Sequence, residues 1–136
     1  MRSFKLIEHT ADIGIVAYGN TIMEAFANAA YGLFSIITDI KRVREVESRT
    51  VEISEMDMEA VLFAWLNHLI YLFDTEMLLL KRFDIIELTE CQLKATCYGE
   101  KYDPSHHHLK IGVKSATYHM MSIDREKNQV QVIFDV

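Results

Sequence analysis

The chain has 136 residues, 50% of them hydrophobic and 25% charged, the composition of one compact domain over residues 1–136 rather than of two domains or a disordered tail. Twenty Asp and Glu against fourteen Lys and Arg leave a net charge of −6, which repels phosphate backbones and disfavours stable, direct nucleic-acid binding. There is no apolar N-terminal region and no apolar run near the ~18 residues that span a bilayer, so a soluble, cytoplasmic protein without a membrane partner is expected.

The first segment alternates through Phe4, Leu6 and Ile7, breaks at residues 9–12 and resumes at Ile13, Ile15 and Ala17 before Gly19 and Asn20. That pattern predicts two short strands around a polar corner. Thr21 stands three residues before Glu24, the spacing of a capping box, so a helix is expected to begin there. Ile22, Ala25, Phe26, Ala29, Leu33 and Ile37 follow at helical steps and give it one broad apolar face, with Gly32 permitting close packing. Lys41, Arg42, Arg44, Glu45 and Glu47 read as a solvated connection into a short strand at Val51 and Ile53.

A second helix is predicted to open near Asp57 and to carry Met58, Val61, Leu62, Trp65, Leu69 and Leu72 on one stripe, widened by Phe63 and Ile70. From Leu78 onward the pattern is extended. Strands are predicted over 78–88, around Leu93, Ala95 and Cys97, at Leu109, Ile111 and Val113, over 116–123 and over 130–134, the last two joined by the polar loop 124–128. Cys91 and Cys97, six residues apart on such a stretch, would lie about 20 Å apart and could not bridge. Two unbridged cysteines fit a reduced compartment. The expected fold is α+β, a single domain with two main helices packed on antiparallel or mixed β-sheets.

Most signatures that name a reaction are missing: no phosphate-cradling glycine loop, no CxxC pair, no HExxH and no GxSxG. Adjacent histidines on an extended chain point to alternate faces, so His106, His107 and His108 read as a solvated loop rather than a metal site. His68, on the buried stripe of the second helix, reads as a hydrogen-bonded core residue. Two features remain. Asp12 lies in the corner after the first strand, and Asp135 is followed at once by Val136, whose α-carboxylate ends an apolar strand. Asp135 and that carboxylate form a dense patch of hard oxygen donors, which favours a cation or a basic group beside it. Spacing alone does not bring Asp12 to them, and an ordinary exposed strand end is the competing reading.

The segment His9, Thr10, Ala11, Asp12, Ile13 and Gly14, with Gly19, Glu24, Ala25 and Phe26, then Val113 through His119 (VKSATYH) and the ending Val132 to Val136 (VIFDV) resembles the archease family over essentially the whole chain. Ser115 departs from the alanine expected there. The resemblance implies a non-enzymatic protein cofactor of the GTP-dependent RNA ligase that joins 2′,3′-cyclic-phosphate or 3′-phosphate ends to 5′-hydroxyl ends in tRNA splicing or RNA repair. It implies promotion of ligase guanylylation and multiple turnover, and a divalent-metal site (Ca, Mg or Mn) at Asp12, Asp135 and Val136. Two other readings stay open: a general chaperone binding tRNA-modifying enzymes through apolar surface such as Met120 and Met121, and a free-standing metal-dependent hydrolase.

Overall fold

A computed structural model describes residues 3–8 and 12–136. The chain forms β1 (Phe4–Glu8), β2 (Asp12–Tyr18), α1 (Ile22–Ile37), a short 3₁₀ helix (Ile40–Arg42), β3 (Glu47–Ser54), α2 (Met58–Glu76), β4 (Leu78–Leu88), β5 (Gln92–Lys101), β6 (Ser115–Asp124) and β7 (Gln129–Asp135). The strands make a four-stranded sheet in the order β1-β2-β7-β6 and a three-stranded sheet in the order β3-β5-β4. Every pairing is antiparallel, so the fold is the expected α+β domain and its sheets are not mixed.

The helix starts follow from their caps. Thr21 Oγ1 accepts the Glu24 N–H at 3.0 Å, and Glu24 Oε1 returns to the N–H of Asn20, one residue before the cap, at 3.0 Å. Asp57 caps α2 in the same way by accepting the Ala60 N–H at 2.8 Å, which satisfies one of the donors that a helix N-terminus leaves free. Met77, in the left-handed region at φ 54°, closes α2 and turns the chain into β4.

The helices join the two sheets. α1 packs on β2 and β7 of one sheet and on β4 of the other, and α2 packs on β6 of the first and on β3, β4 and β5 of the second. Burial on both sides widens the apolar face of α1 beyond the predicted stripe, to include Ala30, Phe34 and Ile36. It also encloses Asn28, whose Nδ2 donates to the Tyr18 carbonyl at 2.7 Å. Trp65, fully buried, donates from Nε1 to the Phe26 carbonyl at 3.1 Å and so pins α2 to α1. A Cβ at Gly32 would come within 3.3 Å of Ile15 Cδ1 and the Phe4 ring, so α1 crosses the four-stranded sheet there at close range.

Three expectations need correction. Residues 109–113 do not form a strand: Leu109 makes a single bridge to Thr38, and the segment runs as irregular chain with Val113 buried. Its alternation reflects anchoring of Leu109 and Val113 to the core without a neighbouring strand to pair with. Cys91 lies in the turn before β5 and is exposed, whereas Cys97 is buried and burial, reinforced by Asp84, pushes its thiol up to about 12. Both are free, as expected. His68 is half-buried with its ring 6.1 Å from that of Tyr71, and its ring makes no hydrogen bond among the described residues. Burial lowers its pKa.

Candidate functional site

β2 and β7 pair so that Asp12 stands directly opposite Asp135. β6 extends the row, with Ser115 opposite Asp135 on its other side. Residues directly opposite in an antiparallel sheet project from the same face, so two carboxylates and a hydroxyl share one patch at the end of three adjacent strands. Ser115 Oγ lies 3.4 Å from Asp135 Oδ2 and donates to it, while the Lys114 N–H donates to the Asp135 carbonyl at 2.8 Å. The serine that departs from the expected alanine therefore steadies the central carboxylate. The Val136 side chain packs against the hydrophobic core, which places its main chain one residue beyond this row.

Like charges directly opposite in a sheet destabilise it. Among the described residues neither Asp12 nor Asp135 forms an ion pair with a basic side chain. Among the described residues the patch is thus acidic with no paired cation, and its hard oxygen donors fit a hard divalent cation. Two side-chain carboxylates are a sparse set for such an ion. His9, Thr10 and Ala11, which carry part of the family resemblance, lie outside the described residues.

A second cluster was not legible in the sequence. His107 is buried, contrary to the solvated loop expected for it, and its Nε2 lies 2.8 Å from Glu100 Oε2. Its Nδ1 accepts the Asp103 N–H at 3.0 Å, so the proton sits on Nε2 and is donated to the carboxylate. Glu100 also accepts the Arg44 N–H at 2.8 Å and the Arg44 Nε–H at 3.0 Å. His106 Nε2 donates to the Arg42 carbonyl at 2.7 Å. Glu100, His106 and His107 are the one place among the described residues where three His, Cys, Asp or Glu side chains converge closely enough for an ion. Each is already engaged, and a guanidinium occupies the carboxylate, so the cluster is a filled hydrogen-bond network rather than a metal centre.

Burial alone would raise the Glu100 pKa, but the side-chain and backbone bonds from Arg44 and the bond from His107 outweigh it and hold the carboxyl below its ordinary value of 4.5. A depressed folded-state pKa means that the unfolded chain binds more protons. The network's stabilisation is therefore complete above about pH 4.5 and is lost as pH falls through the folded-state value. Glu100→Gln is expected to destabilise the protein by about 1–3 kcal/mol at neutral pH and to flatten the acid limb of its stability profile. Urea unfolding between pH 3 and pH 7 measures both.

Fold and patch together define a two-helix, two-sheet α+β domain with an acidic strand end. The model of the Archease protein family (MTH1598/TM1083) matches residues 4–136. The archease of Sulfurisphaera tokodaii is 39% identical over 137 residues, covering 100% of this chain and 99% of the relative. That of Pyrococcus abyssi is 42% identical over 128 residues, covering 92% of this chain and 90% of the relative. The solution structure of Methanobacterium thermoautotrophicum protein 1598 superimposes with a TM-score of 0.83 at 36% identity, covering 100% of both chains. The Thermotoga maritima crystal structure described as "an archease, possible chaperone" superimposes with a TM-score of 0.66 over 100% of this chain and 98% of that one, and at 22% identity shows the shared fold alone. The chain belongs to the archease family.

Proposed function

We propose that this archease activates a GTP-dependent RNA ligase of the kind that joins 2′,3′-cyclic-phosphate or 3′-phosphate ends to 5′-hydroxyl ends in tRNA splicing or RNA repair. It acts as a protein cofactor that promotes guanylylation of the ligase and repeated turnover, and it is not itself the ligase. The observation that carries this reading is the pairing of Asp12 with Asp135 on neighbouring strands: family membership implies an acidic metal site at these two residues and at the carboxylate of Val136.

The chain's own residues do three things at the patch. Asp12 and Asp135 supply the carboxylates. Ser115 Oγ–H donates to Asp135 from the far side of the row. The Val136 side chain packs on the core, and its carboxylate is the third ligand in this proposal. A hard divalent cation (Mg, Mn or Ca), when bound, supplies positive charge that offsets the triphosphate of GTP where the ligase is guanylylated. The net charge of −6 suits a basic cleft on a protein partner better than RNA.

The test is transfer of labelled GMP to the purified ligase with and without this protein. Stimulation that disappears on chelation of divalent ions, together with Mn²⁺ broadening of the amide signals of Asp12, Ile13, Phe134 and Asp135 in the isolated protein, is the expected result. Absence of any stimulation overturns the ligase role, and Mn²⁺ broadening confined to other residues overturns the metal site.

A further inference from the structure

β6 is an edge strand of the four-stranded sheet, and its pairing with β7 is interrupted. Thr117 pairs with Ile133 and Ser122 with Gln131, so residues 118–121 stand opposite the single Val132. This oversized bulge lifts Tyr118, His119 and Met120 out to solvent. Met120 sits at φ 54°, a conformation disfavoured for a side chain of its kind. Apolar surface is thereby exposed at a backbone cost, in a strand that regular pairing would have buried or flattened.

The bulge is organised. Tyr118 stacks on Phe63 of α2 with ring centroids 4.1 Å apart and planes 3° from parallel, while Asn67 of α2 holds β6 through both amide atoms, accepting the Ala116 N–H at 2.8 Å and donating to its carbonyl at 3.3 Å. With one face covered by Phe63, Tyr118 is still 53% exposed and presents its other face to solvent; Met120 is 54% and Met56 89% exposed. The surroundings are acidic. Partial burial and then the negative charges of Asp57, Glu55 and Glu59 raise the Tyr118 pKa, which places those three exposed carboxylates within electrostatic reach of the ring. The guanidinium of the same region, Arg125, is already paired with Glu90 and lies against Met58 Sδ.

We infer that the Tyr118 bulge, with Phe63 beneath it, Met120 exposed in the same bulge and the carboxylates of Glu55 and Glu59 within electrostatic reach, is a docking surface for a basic, arginine-bearing segment of the partner protein. An arginine satisfies the whole site at once. Its planar guanidinium stacks on an exposed aromatic face and is drawn by the nearby carboxylates, and its apolar neighbours cover Met120. A second copy of this chain would set two acidic rims against each other, and RNA would bring phosphates to them, so like-charge repulsion opposes both. The inference rests on the ligase reading for the partner's identity; along β6, Tyr118 lies three residues from Ser115, about 10 Å from the row that holds Asp135, and its stack on Phe63 of α2 sets it on the helix side of the sheet.

The experiment measures binding of the purified GTP-dependent ligase to the full chain, to Tyr118→Ala and to the double variant Glu55→Gln, Glu59→Gln, at two ionic strengths. Tyr118→Phe serves as a control that keeps the stack. Tyr118→Ala is expected to weaken binding roughly 30-fold. The double variant, whose changes are at exposed positions, should weaken it several-fold with a smaller salt dependence, and Tyr118→Phe should bind like the parent. Unchanged ligase affinity in both Tyr118→Ala and the double variant, while the parent stimulates guanylylation, overturns the docking surface and leaves the proposed function standing. So does a Tyr118→Ala effect seen only on self-association by sedimentation or on suppression of aggregation of an unfolded client. A parent chain that neither binds nor stimulates the ligase overturns both.

Discussion

Asp135→Asn is expected to abolish stimulated guanylylation, by at least tenfold if metal-borne charge stabilisation is what the patch contributes, and at the same time to leave the protein slightly more stable. The two signs follow from one geometry. Asp135 stands opposite Asp12 in the antiparallel pair, without a basic partner among the described residues, so removing one charge relieves repulsion worth about 0.2–1 kcal/mol. Asn preserves the shape and can still accept the Ser115 hydroxyl, so lost packing does not contribute. Asp12→Asn is expected to behave likewise, and the double variant should lose no more activity than either single one, since both serve one site. Thermal melting beside the guanylylation assay reads both effects. Loss of activity accompanied by a large fall in Tm would make these residues structural instead. Ser115→Ala should have a much smaller effect, because its 3.4 Å contact with Asp135 orients the carboxylate without supplying it.

Gly99→Ala is expected to cost roughly 3 kcal/mol or more and to lower Tm by on the order of 10 °C, or to prevent accumulation of folded protein. Gly99 lies in the central strand of the three-stranded sheet, opposite Glu47 on one side and Leu80 on the other. A Cβ at that position would fall 1.8 Å from the Leu79 carbonyl oxygen and 2.8 Å from Leu80 Cα. Those are backbone atoms held by the adjoining β4 strand, and no side-chain rotation relieves the overlap. Next to this position the β4 register shifts between Leu80 and Arg82, so the close approach belongs to the bend of β4 over β5 rather than to a turn. Gly112→Ala is the matched control, since a Cβ there meets nothing within 4 Å, and its effect should stay within about 0.5 kcal/mol. Equal effects at the two positions would refute the steric account.

The local elements were legible because they rest on short-range chemistry. Thr21 and Glu24 announced α1 three residues apart, Asp57 announced α2, and strict alternation around Leu93, Ala95 and Cys97 announced β5. Segment 109–113 misled the same reasoning, because its apolar alternation is not a buried face: Leu109 and Val113 are anchored to the core, while Ile111 between them is exposed. The chain by itself determined the composition of an acidic single domain, both helices, most strands and the identity of the candidate residues Asp12, Asp135 and Val136. Only the tertiary structure decided that Asp12 faces Asp135, that Ser115 completes their row, that His107 and Glu100 close a buried network, and that the edge of β6 opens into a bulge around Tyr118. Those relations join residues up to 123 positions apart. They are set by strand register and helix packing, for which spacing along the chain carries no information.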